Sequence, residues 1–382
     1  MTESSNFNFK IGIIGPTRVG KTSLIASILQ NSQKLLEGTP IKISPNGKAT
    51  ELRIAQHQKE LDGSLRAGEF HPGAVQGTEE MFTFQLHLDP GVEGAGIDVN
   101  ILDYPGGWLD SERRPPEREN DWEDCKNWLE QSTVLLVPIE SAIIMEAELS
   151  KYKKAVPHIL TTFEVAQVVR AWAKGRASKP DEPALLMLCP VKCESYFADN
   201  GGLRDKSNDL LLKVRDVYHE VIEAAKGEFK NAGPVKILYV PIDTIGCVEI
   251  IEANWKQDVN APGKYEFTAD YLVRNPKRQS SRGADAVLIS LCNILVEAKK
   301  NVLDQQAKIK REDANKSHDY AIKREGFFKD IWLWMSGERK SRQGIAKKNN
   351  ENASRQEALV KMMEDTIAEL SERKLGPRVH EL

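Results

Sequence analysis

The chain has 382 residues, 40% of them hydrophobic and 29% charged, with a formal net charge of −3. Such a composition is ordinary for a soluble globular protein, and it carries no overall field that would draw nucleic acid or an anionic membrane. The length suits one large domain with insertions, or one domain with a smaller appendage.

Residues 1–9 are polar and uncharged apart from Glu3, so no secretory leader is expected. The longest apolar runs, such as residues 134–137, have the length of a strand and fall far short of a bilayer span. Five cysteines (Cys125, Cys189, Cys193, Cys247 and Cys292) form an odd set without framework spacing. No histidine pair or second cysteine pair completes a zinc set, so they read as small buried thiols in a reducing, cytoplasmic setting.

Ile11, Ile13 and Ile14 mark a first buried strand, and residues 23–36 a helix with apolar Leu24, Ile25, Ile28 and Leu29. A short extended piece at 41–45 precedes a helix over 49–65, which the Gly/Pro-rich segment 68–77 ends. Phe82, Phe84, Leu86 and Leu88 alternate on one face of a half-buried strand, 81–88. Strands follow at 97–102 and 133–139, with a polar insertion at 110–119 and a Trp-rich helix at 122–129 between them. Helices at about 146–153 and 158–174, a strand at 184–188, a helix at 207–229 and a strand at 235–240 continue the pattern. Strand–helix alternation of this kind predicts an α/β fold with a doubly wound, mostly parallel sheet, which takes its ligands at the carboxyl ends of its strands.

The last third differs. Residues 283–306 form an amphipathic helix, and 299–348 carry fourteen Lys/Arg against seven Asp/Glu, an excess of +7 in an otherwise acidic chain. Within that basic stretch, residues 327–335 hold Phe327, Phe328, Ile331, Trp332, Leu333, Trp334 and Met335. Residues 349–352 read as a linker and 353–370 as a last helix. The expected organisation is a domain over 9–310, with insertions at about 37–77 and 108–121, and a helical C-terminal extension over 311–382. Packing on the core or self-association, binding of a partner helix, and a membrane surface all stay open for the aromatic cluster.

Residues 15–22, Gly15-Pro16-Thr17-Arg18-Val19-Gly20-Lys21-Thr22, satisfy G-x-x-x-x-G-K-[ST] at every fixed position, between a strand and the helix that opens at Ser23. Free backbone N–H groups and the helix dipole both favour an anion there. Lys21 would reach the β- and γ-phosphates of a nucleoside triphosphate, and the Thr22 hydroxyl would hold Mg²⁺. Asp103-Tyr104-Pro105-Gly106 closes the strand 97–102, giving an Asp for Mg²⁺ and a Gly N–H for the γ-phosphate.

With these two motifs the chain resembles the translation-factor-related class of P-loop GTPases over about residues 9–310. The resemblance implies a phosphate loop at 15–22, a second switch at 103–106, and a first-switch Thr for Mg²⁺ at Thr78, three residues ahead of the strand 81–88. It implies GTP and GDP as ligands with Mg²⁺ as cofactor. The base motif of the class, Asn/Thr-Lys-x-Asp, is met by Val191-Lys192-Cys193-Glu194. Lys192 matches, Glu194 is one methylene longer than Asp, and Val191 replaces the Asn, so ATP in place of GTP stays open. The last motif falls on residues 241–246 without the usual Ser-Ala. Within the class, the insert between Leu36 and Thr78 and the long helical tail look like bacterial GTPases of the doubled or conflict-system-associated branch.

Many members place a Gln directly after D-x-x-G to orient the attacking water; here Gly107 and Trp108 follow. Arg18 occupies the P-loop position where potassium-activated relatives carry an Asn, so its guanidinium is a candidate cation in cis; Arg113 and Arg114 are weaker candidates. The catalytic expectation is therefore Lys21, Arg18 and Thr78. Three functions follow: a switch GTPase acting on a partner protein through the tail, a nucleotide-binding scaffold without turnover, and a dynamin-like self-assembling GTPase.

Overall fold

The computed structural model describes residues 7–30, 32, 36–65, 69–70, 78–93, 95–179, 182–200, 205–230, 235–258, 263–274, 282–315, 358, 360–366, 368–369, 372 and 375–382. Its strands in chain order are β1 (Phe7–Ile13), β2 (Lys42–Pro45), β3 (Glu69–Phe70), β4 (Phe82–Asp89), β5 (Ile97–Asp103), β6 (Val134–Glu140), β7 (Leu185–Val191), β8 (Lys236–Tyr239), β9 (Val248–Gln257), β10 (Tyr265–Val273) and β11 (His380–Glu381). Its helices are α1 (Lys21–Gln30), α2 (Lys48–Leu65), α3 (Glu119–Gln131), α4 (Ser141–Met145), α5 (Ser150–Ile159), α6 (Thr162–Ala177), α7 (Ser207–Val217), α8 (His219–Phe229) and α9 (Ala284–Asn315).

The protein is α/β, with a mostly parallel central sheet of eight strands in the order β11-β8-β7-β6-β1-β5-β4-β2. The five strands from β8 to β5 run parallel, while β4, β2 and β11 are antiparallel additions at the two edges. Every residue of β6 and β7 is buried, as expected of parallel strands covered on both faces. β4 instead alternates, with Phe84, Leu86 and Leu88 inward, because it lies near an edge. One face of the sheet packs on α1 and α9, joining Ile11, Ile13, Leu24, Leu288 and Leu295 in one core. The other face packs on α3, α6 and α8 through Leu129, Val169, Trp172 and Val221.

Several elements differ from expectation. The helix expected over 207–229 is two, α7 and α8, broken at Tyr218, whose ring is fully buried. Residues 141–177 form three helices rather than two, and Thr161, in the left-handed region at φ 49°, turns the chain between α5 and α6. A second sheet in the order β3-β10-β9, antiparallel throughout, went unread in the sequence. Its strands interleave charged with apolar residues, and the pairing slips between Asp270 and Tyr271, so the period of two is lost.

α9 runs on to Asn315, across the expected 310/311 boundary. Farther along, Met363 is buried in the main core, Lys300 pairs with Glu364 at 2.8 Å, and β11 adds a strand to β8. The aromatic stretch 327–335 and the linker 349–352 lie outside the described residues. No described helix is long and apolar enough to cross a membrane.

Candidate functional site

β1 ends in the middle of the sheet, where β5 lies on one side and β6 on the other. The loop that follows turns through two left-handed residues, Arg18 at φ 63° and Gly20 at φ 97°. α1 then opens at Lys21, with its first-turn N–H groups unspent at the loop. Val19 is buried beneath the loop, while Thr17 and Arg18 are exposed and Pro16 and Ser23 half-buried. Lys21 is 6% exposed and curls back, donating to the Gly15 and Pro16 carbonyls at 3.1 Å each. Its ammonium also stands 5.2 Å from the centre of the Tyr104 ring. Burial lowers the Lys21 amine to about 8, against an opposing pull from Asp103.

Three oxygen-bearing side chains from separate segments meet beside Lys21. Thr22, at the start of α1, donates to Asp103 Oδ2 at 2.7 Å. Thr78, ahead of β4, donates to the same oxygen at 2.9 Å, and the two hydroxyl oxygens lie 3.0 Å apart. Asp103, at the end of β5, is fully buried, and its Oδ1 has no hydrogen-bond partner among the described residues. Two hydroxyls and a carboxylate with one oxygen to spare make a small, hard-oxygen donor set of the kind that suits Mg²⁺. No cluster of three His, Cys, Asp or Glu occurs among the described residues, so a softer metal centre has no counterpart there.

Gly106 packs directly on the backbone of the loop between β1 and α1. A Cβ at this position would lie 2.4 Å from both Pro16 C and Thr17 N, closer than any side chain tolerates. The next residue, Gly107, has no side chain to aim at the loop. Arg113 pairs with Asp110 at 3.2 Å, and Arg114 is held by the Trp108 carbonyl at 3.0 Å and by Glu119 at 2.9 Å. Both contacts lie within the insertion itself, and the Arg113 side chain stays largely exposed.

The carboxyl end of β7 lies against the same loop, since Val191 Cγ2 stands 3.8 Å from where a Cβ on Gly20 would sit. Lys192, left-handed at φ 55°, forms a buried ion pair with Glu140 at the end of β6. Glu194 is fully buried and accepts from the Ile245 and Gly246 N–H groups at 2.8 and 2.7 Å. Its Oε2 is buried without a partner among the described residues. Burial, and then the nearby Asp243 carboxylate, push the Glu194 carboxyl up to about 7. The structure thus joins Glu194 to the 241–246 loop and hides its carboxylate beneath that loop.

Sequence reading missed three further participants: Glu140, Arg378 and a cleft on α2. Arg378 donates to Asp243 Oδ1 at 3.0 Å and pairs with Asp199. Beside Thr22, a cleft of about 280 Å³ is lined by Arg53, Gln56, His57 and Glu60 of α2 and by 79–82 across from them. None of these positions carries a local signal, because each acquires its role only when distant segments close on one another. The chain matches no known protein-family model and no curated protein.

Proposed function

We propose that the protein is a Mg²⁺-dependent nucleoside triphosphatase, with GTP as its substrate, acting as a switch on a partner protein. The observation that carries this reading is the convergence of Thr22, Thr78 and Asp103 beside Lys21. It lies at the carboxyl end of β1, where the strand order reverses direction, the place where open α/β sheets take ligands.

In this reading Lys21 leaves the Gly15 and Pro16 carbonyls for the β- and γ-phosphate oxygens, while the loop N–H groups at the α1 N-terminus hold the phosphate chain. Thr22, Thr78 and Asp103 would hold Mg²⁺, which when bound neutralises charge between the β- and γ-phosphates. Gly106, free of a side chain, brings its N–H to the γ-phosphate edge of the loop. Loss of that phosphate removes the group around which Thr78 and Gly106 order, and both segments relax. GTP is assigned as substrate on Glu194, whose ionised Oε2 would accept from a guanine edge once the 241–246 loop uncovers it. A binding-only scaffold is the second reading, favoured by Gly107 and by the buried position of Glu194. Transmission to the partner runs through the C-terminal helices.

The test is calorimetry with Mg²⁺ and GTPγS, GDP, ATPγS or ADP, with Lys21→Ala as control, followed by single-turnover phosphate release. Guanine-nucleotide binding lost in the control supports the reading; an adenine preference moves it to ATP. Binding without phosphate release leaves the scaffold, and no binding at all ends both.

A further inference from the structure

Hydrolysis needs a group that orients water at the γ-phosphate, and the second loop offers none, because Gly107 stands there. Arg18 and Arg113 are exposed, and Arg114 is held by the Trp108 carbonyl and Glu119. The inserted helix α2 supplies what these lack. Thr50 Oγ1 accepts from the Gln85 N–H at 3.0 Å and ties its first turn to β4. At the other end Leu65 is buried in the same cluster as Phe70 and Tyr271. Between these anchors Arg53, His57 and Glu60 follow at spacings of four and three, on one face of the helix, and all three line the cleft that opens on Thr22.

His57 is 6% exposed, and its Nε2 has no hydrogen-bond partner among the described residues. The Arg53 Nε, one turn earlier, is also buried and unpartnered among them. Buried polar nitrogens are costly to leave unpaired, so two of them on one cleft wall point to a ligand in that cleft. Its 280 Å³ has room for several waters of about 30 Å³ each. Thr22, which donates to Asp103, lines the same cleft as His57.

We propose that His57 is the water-positioning residue of the hydrolysis, filling from α2 the role that Gly107 leaves open, with the Arg53 guanidinium beside it facing the γ-phosphate. The inference rests on the nucleotide-hydrolysis reading above. The oxygen of a water held by His57 bonds to the γ-phosphorus as the bond to the β–γ bridging oxygen breaks. The bridging oxygen leaves with the electron pair on the nucleoside diphosphate, and the surplus proton of the water passes to the released phosphate. The insertion is then part of the reaction machinery as well as a wall of the fold.

The experiment compares wild type, His57→Leu, His57→Gln and Lys21→Ala by thermal midpoint, by GTPγS and ATPγS affinity with Mg²⁺, and by single-turnover kcat and KM. His57→Leu should bind within about threefold of wild type yet lose on the order of 100-fold or more in kcat. His57→Gln, which can still hold a water, should keep kcat within about tenfold. Equal kcat in wild type and His57→Leu overturns the inference while leaving the nucleotide reading intact, and so does an equal fall in both variants. Should His57→Leu fail to fold, His57→Asn, polar but too short to reach, takes its place with the same expected loss. A wild type that binds no nucleotide overturns both readings.

Discussion

Arg378 reaches the buried Asp243 across 135 residues of sequence, its Nη1 donating to Oδ1 at 3.0 Å, while the same guanidinium pairs with Asp199. Its plane lies 3.9 Å from the centre of the Phe197 ring. Asp243 is fully buried and sits beside Glu194, so this one arginine supplies the cation for a carboxylate that has left water. Arg378→Met should cost about 3 kcal/mol, because it strands a buried charge without its partner. Chemical denaturation of the two proteins at pH 7 measures it.

The Glu194 carboxyl gives stability a pH dependence of definite sign. Its folded-state value lies near 7, above the ordinary 4.5, because burial and Asp243 disfavour the charged form. Between those two values the folded state keeps a proton that the unfolded chain has lost, so stability falls as pH rises, by up to about 1.4 kcal/mol per unit. Above about 7 the slope from this group vanishes. Glu194→Gln should flatten the dependence and gain on wild type from pH 5 to pH 8, as read by denaturation at both values.

Gly106→Ala should discriminate against the triphosphate. Its Cβ must displace the Pro16–Thr17 backbone or push the second loop away from it. GDP affinity should change little, whereas GTPγS affinity should fall by about tenfold or more, roughly 1.4 kcal/mol. Calorimetry of both ligands on one protein preparation gives the ratio.

Thr78→Ala tests the proposed Mg²⁺ site. The variant removes one of the two hydroxyls on Asp103 Oδ2 and leaves the Thr22 bond at 2.7 Å in place. Mg²⁺-dependent GTPγS binding should weaken by about tenfold or more, with GDP binding retained. An equal loss for both nucleotides would assign Thr78 to the fold alone.

The middle of the central sheet was legible because β6 and β7 are written as almost unbroken apolar runs. Residues 134–140 and 185–191 have no polar face to disguise them. The loop at residues 15–20 stood out for a different reason, since its fixed residues fall at fixed spacing within one turn between β1 and α1. Thr78 and Asp103 were found through their places beside strands, and the structure brings both to Thr22. The break at Tyr218 was hidden because no glycine or proline marks it and the apolar positions continue across it. His57, Glu140 and Arg378 were illegible in principle: each is an ordinary polar residue until a remote segment removes its water. Glu194 was recognised, but its burial under the Ile245 and Gly246 amides is a property of the loop that closes on it.

β11 changes what kind of object the C-terminal region is. Because α9 is anchored before residue 316 and the Met363 and Arg378 contacts hold the chain beyond it, the stretch between is sewn down at both ends. A protease cut inside it should leave two pieces that still travel together through a sizing column. The end of the chain that carries β11 is itself fastened, through Arg378 and Asp243, to the loop that covers Glu194.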